Sequence, residues 1–170
     1  KGLLAFEASA FYIDWQHQQL SVTVPALGNV VRNVGHSNSK GFELALNATP
    51  LPSLSLQASY GYTYAKMLEA RMGVGKDYSG NILPLVPRHT LSFNANYVVN
   101  NLGRFADKLM FNANLTGVGP LYWREDNAVK QSFYTLLNLK AALTRGIFTL
   151  EVWSRPYRGR LKIVLRLFLK

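Results

Sequence analysis

The residues of this sequence that are best suited to bind a ligand are basic and aromatic side chains in two stretches without strand periodicity. They are Arg71, Lys76, Tyr78, Tyr122, Trp123 and Arg124. Guanidinium and ammonium groups attract anions, and aromatic rings hold cations over their faces. Such a set suits an anionic, aromatic ligand. The alternative is that Tyr122 and Trp123 lie at a membrane interface and that the charged groups are solvated loop residues.

The sequence offers little chemistry beyond binding. Its three histidines, His17, His36 and His89, are far apart and have no partner at the spacing of metal ligands. It contains no glycine-rich phosphate loop, no Ser-His-Asp order that periodicity supports and no paired carboxylates on one strand face. We therefore predict no catalytic residue, no metal site and no cofactor, and we do not expect an enzyme.

Composition and charge narrow the class of protein. The 170 residues include no cysteine, 48% hydrophobic residues and 12% aromatic residues. No run approaches the roughly 18–20 apolar residues of a membrane-spanning helix. The net charge of +10 is concentrated in Ser154–Lys170, which has basic and no acidic residues. Because the basicity belongs to a tail, it does not indicate nucleic acid as a partner.

Alternation of apolar and polar residues is the strongest structural signal. It is strict over Leu54–Ala65, and only a β-strand places such residues on two opposite faces. The same period predicts strands at Phe6–Trp15, Phe42–Ala48, Leu91–Val99, Leu109–Gly117, Leu137–Leu143, Phe148–Trp153 and Leu161–Leu169. A phase slip between Ala10 and Phe11 predicts a β-bulge. The expected fold is all-β, an antiparallel up-and-down meander of about eight strands.

Three features favour part of a transmembrane β-barrel over a soluble β-fold. Several predicted strands reach about ten residues, whereas strands of soluble proteins average about five or six. The polar face carries mainly Ser, Thr, Asn, Gln and Gly, and only 16% of the chain is charged, which suits a watery lumen. Aromatic residues lie near strand ends, as in the interfacial girdles of membrane barrels.

The predicted connections alternate in length. Long segments at Gln16–Lys40, Lys66–Arg88 and Val118–Ser132 are separated by shorter ones at Thr49–Ser53, Asn100–Asp107 and Thr144–Gly146. In membrane barrels the long loops face outward and the short turns face the periplasm. We therefore expect the long connections to share one end of the sheet, on the outside.

A further set of residues is better explained by backbone structure than by chemistry. They are Asn33, Gly35, Gly41, Glu43, Pro84 and Pro87. The two glycines would permit a bulge or a close approach between strands. Glu43 is expected to face the lumen, and the two prolines are expected to end a long loop and open a strand.

Several segments together resemble the C-terminal barrel of TonB-dependent outer-membrane receptors, the siderophore branch in particular. They are FYIDWQHQQ at Phe11–Gln19, NVGHSNSKGFELAL at Asn33–Leu46, YGYTYAK at Tyr60–Lys66, LPLVPRHTLSFNANY at Leu83–Tyr97 and QSFYTLLNL at Gln131–Leu139. The resemblance implies a partial outer-membrane β-barrel over residues 1–153, in a Gram-negative bacterium. It also implies energy-coupled uptake of a ferric siderophore or a similar iron chelate.

The resemblance further implies partners outside this chain. They are membrane lipid, the remaining barrel strands, an N-terminal plug domain and, through that plug, the TonB complex. Residues 154–170 depart from the family's usual ending and are expected to form an atypical basic C-terminal strand or tail. The chain is then expected to be a fragment of a receptor. Two alternatives are a complete small eight-stranded barrel with a structural or adhesion role, and a soluble lipocalin-like binder.

Overall fold

Strands make up nearly all the regular structure of this chain. A computed structural model describes residues 3–24, 28–71, 76–157 and 160–169. Its strands are β1 (Leu4–Val24), β2 (Gly28–Leu51), β3 (Leu54–Ala70), β4 (His89–Asn100), β5 (Lys108–Gly119), β6 (Leu121–Tyr122), β7 (Lys130–Gln131), β8 (Tyr134–Arg145), β9 (Phe148–Tyr157) and β10 (Arg160–Leu169). The described ranges contain no helix with the length and apolar character needed to cross a membrane.

Eight of these strands form one antiparallel sheet, in the order β1-β2-β3-β4-β5-β8-β9-β10. The short strands β6 and β7 pair only with each other and lie in the connection between β5 and β8. The predicted all-β meander of about eight strands is confirmed. Within the described residues β1 and β10 are the two edges, so the sheet is open.

One face of the sheet is apolar from edge to edge, and we call it the apolar face. Its side chains meet across the strands because the register is continuous: Phe93 of β4 pairs with Ala58 of β3 and with Leu115 of β5. Many of them are exposed; Phe111 and Leu139, for example, are 46% and 45% accessible. A soluble sheet would bury such a face against a second layer. In the described residues the fully buried apolar side chains are few and include Ala65, Met67 and Ala70 of β3.

The opposite face, which we call the polar face, is held together by neutral and paired polar groups. The Asn112 side-chain amide donates to Asn94 Oδ1 over 2.8 Å, between β5 and β4. Lys140 Nζ of β8 lies 2.7 Å from Glu151 Oε1 of β9. Such cross-strand pairs allow a polar surface to remain in contact with water while its neighbouring strands stay in register.

The prediction of a long loop at Gln16–Lys40 is wrong. β1 and β2 continue through this segment as a two-stranded ribbon, as far as the pair Val24–Gly28. Pairing of β2 with β3 stops at Gly35–Ala70, so the ribbon extends beyond the rest of the sheet. Apolar alternation in this segment is confined to the short run Leu20–Val24, because a two-stranded ribbon that projects beyond the sheet covers no core and has no face that must be apolar.

The predicted bulge between Ala10 and Phe11 is also wrong. The β1–β2 register has no shift at that point, and its irregularity lies after Gln16, where His17 adopts φ 56°. Phe11 therefore stays on the polar face, where it pairs with Gly41 of β2. The aromatic ring fills the space that a glycine leaves, and this explains an apolar residue out of phase.

The five connections between β2 and β9 that join neighbouring strands of the sheet lie at opposite ends according to their length. Residues 71–88 join β3 to β4 and residues 120–133 join β5 to β8, both at the end where the β1–β2 ribbon projects. Shorter connections at 52–53, 101–107 and 146–147 lie at the other end. We call these the loop end and the turn end.

Candidate functional site

Two connections at the loop end are joined by side-chain hydrogen bonds. We call residues 71–88 the β3–β4 loop and residues 120–133 the β5–β8 loop. The Ile82 N–H donates to Asn127 Oδ1 over 2.8 Å, and Asn127 Nδ2 donates back to the Ile82 carbonyl over 2.9 Å. Asn81 Nδ2 donates to the Glu125 carbonyl over 2.9 Å. The two loops are therefore positioned as one unit.

Backbone hydrogen bonds also join the two loops, closer to the sheet. The Leu85 N–H donates to the Tyr122 carbonyl over 2.8 Å, and the Arg88 N–H donates to the Pro120 carbonyl over 2.9 Å. They satisfy backbone groups that have no partner within their own loop. The hairpin of β6 and β7 is thus fixed beside the start of β4.

The first three predicted ligand residues lie in or beside the β3–β4 loop. Arg71 and Lys76 are exposed, and Arg71 Nε lies 3.8 Å from Asp77 Oδ2. Hydrogen bonds from the Ser79 hydroxyl and N–H hold the pKa of Asp77 below its ordinary value. Tyr78 is half-buried, and its N–H donates to the backbone of β3. The Arg71–Asp77 contact is solvated, so the cation stays available to a ligand.

The other three lie in the β5–β8 loop. Tyr122 belongs to β6, and Lys130 Nζ lies 5.9 Å from its ring centre. Trp123 is 52% accessible. Arg124 lies 3.4 Å from Asp126 through a guanidinium nitrogen and a carboxylate oxygen. A large exposed indole beside two cations is a surface that can hold an aromatic anion.

The six residues share the loop end but do not line one cavity. Arg71 borders an open groove with Glu69 and Asp77, whereas Tyr122 borders a separate narrow cleft with Lys130. The residues that join the loops, Asn81 and Asn127, were not among the predicted site residues. A turn signal could have found Asn127, because it follows Glu125–Asp126 and asparagine tolerates the left-handed φ of 53° that it adopts.

Two of the predicted backbone positions have very close neighbours. A Cβ at Gly35, where φ is 111°, would meet the carbonyl oxygen of Glu69 on β3. A Cβ at Gly41 would meet the Tyr62 carbonyl oxygen and lie 2.7 Å from the Phe11 ring. Because the contacts involve backbone oxygens, a larger residue could be accommodated only if the strands moved apart.

The other four backbone positions are spread along the chain. Asn33 is exposed in the ribbon, and Glu43 is exposed on the polar face opposite Gly61. Pro84 lies in a turn of the β3–β4 loop. Pro87 lies two residues before the start of β4. No described hydrogen bond or ion pair links the side chains of Asn33 and Glu43 to another residue.

The histidines do not form a metal centre in the part of the chain that the structure describes. No three His, Cys, Asp or Glu side chains lie close enough together there to hold a metal ion. His36 instead pairs with Asp14 across β1 and β2. His89 Nδ1 lies 2.7 Å from the Tyr60 hydroxyl, between β4 and β3.

Comparison with solved structures shows that the sheet is similar in fold to part of two receptors. The ferric yersiniabactin uptake receptor FyuA from Yersinia pestis superposes with a TM-score of 0.73 at 20% identity, covering 98% of this chain and 26% of that one. The siderophore receptor PiuA from Acinetobacter baumannii gives 0.68 at 21% identity, covering 89% and 21%. At such identities the likeness shows the fold: the open sheet is part of a transmembrane β-barrel.

Sequence comparison gives the family. An uncharacterized TonB-dependent receptor from Haemophilus influenzae is 36% identical over 80 residues, which are 45% of this chain and 21% of that protein. The chain thus spans about a quarter or less of the length of these relatives. The model of the family "TonB dependent receptor-like, beta-barrel" matches residues 1–154. The chain belongs to the β-barrel family of TonB-dependent receptors.

Proposed function

We propose that this chain forms part of the wall and outer loops of an outer-membrane receptor that takes up a ferric siderophore or a similar iron chelate. Energy for uptake would come from the TonB complex through a plug domain, and the remaining strands would close the barrel. The receptor would act in transport and not in catalysis. Residues 1–153 would form part of the barrel wall, and residues 154–170 would form an atypical basic strand beside it.

The union of the β3–β4 and β5–β8 loops is the observation that carries the proposal. Asn127 and Ile82 hold the two loops together, so the basic and aromatic groups of both are presented at one end of the sheet. Exposed Arg71, Lys76 and Trp123 would meet an anionic chelate before it enters the lumen. The negative charge of such a ligand would attract the basic side chains, and its aromatic groups would make cation–π contacts with them.

The two faces of the sheet support an orientation for it in the membrane. The apolar face would contact lipid and the polar face would line the lumen, because membrane barrels alternate apolar-out and polar-in. The loop end would face the outside, since outer loops are longer than periplasmic turns. This supports a location in the outer membrane of a Gram-negative bacterium.

Uptake by the intact receptor tests the proposal. Cells with the receptor as their sole chelate transporter would be given ⁵⁵Fe loaded on catecholate, hydroxamate or phenolate siderophores. We expect one class to be accumulated in an energy-dependent manner. A triple variant, Arg71→Ala, Lys76→Ala and Arg124→Ala, should weaken binding of that chelate by roughly tenfold or more, because three attractive charges are lost.

A matched control removes the same number of charges at the turn end. Arg104, Lys108 and Arg145 are exposed there, and their alanine variants should leave chelate binding unchanged. Equal loss of binding in both triple variants would show that net charge, and not this site, controls affinity. Failure to accumulate any of the three chelate classes would overturn the proposed transport.

A further inference from the structure

Cationic side chains surround a tyrosine on the apolar face near the loop end. Lys40 of β2 pairs with Tyr64 of β3, and its Nζ lies 5.9 Å from the Tyr64 ring centre. The Arg88 guanidinium carbon lies 5.0 Å from the same ring centre. We call Lys40, Tyr64 and Arg88 the cationic patch. Both cations thus approach one aromatic ring, Lys40 from β2 and Arg88 from the end of the β3–β4 loop.

The cationic patch lies at the boundary of the apolar face. One pair further toward the turn end, Phe42 faces Tyr62 with ring centres 5.8 Å apart. His89 stands on the other side of Tyr62, at 5.3 Å. Beyond these aromatic rings the same face continues with leucine and alanine, starting at Leu44. Toward the loop end, the side chains of the apolar face therefore change from aliphatic to aromatic and then to cationic.

Neither cation of the patch forms an ion pair among the residues that the structure describes. All nine acidic residues of the sequence lie within the described ranges. The ion pairs found there join His36 to Asp14, Arg71 to Asp77, Arg124 to Asp126 and Lys140 to Glu151. Lys40 and Arg88 are in none of them. Asp14, the diagonal neighbour of Lys40 on the same face, is already paired with His36, so both cations of the patch remain open to an anion.

We propose that the cationic patch binds the phosphate of a lipid headgroup in the leaflet that meets the loop end. This rests on the membrane orientation in the proposed function but not on transport. A guanidinium binds phosphate oxygens in a bidentate manner, and an ammonium adds a point charge. Tyr64 sits where tyrosine is favoured, between acyl chains and headgroups. The adjoining aliphatic surface would accept the acyl chains, which free phosphate lacks.

Native mass spectrometry of the intact receptor in detergent tests this site. The probes are phosphatidylglycerol, whose headgroup is anionic, and phosphatidylcholine with the same acyl chains, whose headgroup is neutral overall. We expect preferential retention of phosphatidylglycerol. The double variant Lys40→Gln, Arg88→Gln should weaken that retention by about ten- to thirtyfold, as expected when two basic groups near a charged lipid surface are lost.

Controls separate this site from other effects of charge and folding. The double variant Arg104→Gln, Lys108→Gln removes equal charge at the turn end and should retain phosphatidylglycerol like the wild type. If Lys40→Gln, Arg88→Gln does not fold, the two single variants serve, and each should weaken retention at least threefold. Unchanged retention in the folded variants overturns the proposal.

Two further measurements identify the source of the phosphate and the dependence on transport. Excess inorganic phosphate should fail to displace bound phosphatidylglycerol; displacement would mean a free-anion site and would overturn the lipid assignment. Chelate binding in detergent should be unaffected by Lys40→Gln alone, because Lys40 lies in β2 and outside both ligand-binding loops. Loss of lipid retention with intact chelate binding thus separates this site from the ligand-binding loops.

Discussion

The Asn127 side chain makes three hydrogen bonds, and two of them join the two candidate loops. Two are exchanged with the backbone of Ile82 in the β3–β4 loop, and the third runs from Nδ2 to the Arg124 carbonyl over 3.2 Å in its own loop. A single amide therefore fixes the local turn and the contact between loops. Removal of one buried hydrogen bond commonly costs about 1 kcal/mol.

We expect Asn127→Ala to release the β3–β4 loop without unfolding the sheet. The loss of two bonds to Ile82 should reduce local stability by roughly 1–3 kcal/mol. Amide exchange at Ile82 should then be about five- to a hundredfold faster, since each 1.4 kcal/mol is a factor of ten. Hydrogen exchange followed by mass spectrometry measures this in the detergent-solubilised receptor.

Asn101→Ala is the matched control for this measurement. Asn101 also adopts a left-handed conformation, with φ 59°, but it lies at the turn end and its side chain has no described hydrogen bond. Replacement by alanine costs the same backbone strain in both variants. Unchanged exchange at Ile82 in Asn127→Ala would mean that the loops are held by their backbone bonds alone.

At the scale of strands, the contact of β1, β2 and β3 depends on Gly41. Its neighbours are the Phe11 ring on one side and the Tyr62 carbonyl oxygen on the other. Neither a rotamer change nor a small shift of one side chain makes room for a Cβ beside a backbone oxygen. The glycine is therefore required by the packing of three strands.

We expect Gly41→Val to weaken the β2–β3 pairing despite the high strand propensity of valine. Overpacking of this kind commonly costs about 1–3 kcal/mol. The midpoint of urea unfolding of the receptor in micelles should fall accordingly. Asn47→Val is the control, because Asn47 is exposed on the same face of β2. Equal stability of the two variants would show that the strands adjust to the added side chain.

At the scale of the whole molecule, the decisive feature is that the sheet has two edges. β1 and β10 pair on one side only within the described residues, and an exposed strand edge is a site for association with other chains. A closed small barrel would need β1 to pair with β10. The open sheet favours a segment completed by other strands over the eight-stranded alternative.

We expect the isolated chain of 170 residues to associate when it is refolded in detergent. Its migration in gel electrophoresis should not change on heating, whereas the intact receptor should show the heat-dependent shift of a closed barrel. The intact receptor, refolded in parallel, controls for the detergent and the protocol. A heat-modifiable monomer of the isolated chain would instead support a complete eight-stranded barrel.

The strands of the sheet could be predicted because membrane and lumen impose a chemical difference on alternate residues. Leu54–Ala65 shows this best: from Leu54 to Tyr60 its apolar positions pair with apolar positions of β2 and β4. Where that constraint ends, the prediction also fails. The ribbon beyond Gly35 was predicted as a loop because its apolar alternation is confined to the short run Leu20–Val24, although the backbone pairs in the same way.

The candidate site was less predictable than the sheet. Charge and aromatic character singled out Arg71 and Trp123, since such groups can be recognised one residue at a time. The pairing of Asn81 and Asn127 with the opposite loop joins residues more than forty positions apart. No local pattern encodes a contact of that separation, because it depends on where two loops leave the sheet.

The sequence by itself determined the strands, the two faces and the membership of a barrel wall, because alternation and motif order are properties of adjacent residues. Only the tertiary structure decided that the sheet is open, that the long β1–β2 ribbon replaces a loop and that Asn127 joins two loops. It also placed Lys40 and Arg88 around Tyr64 at the edge of the apolar face. These features depend on register between distant strands, which is set by the packing of the whole sheet.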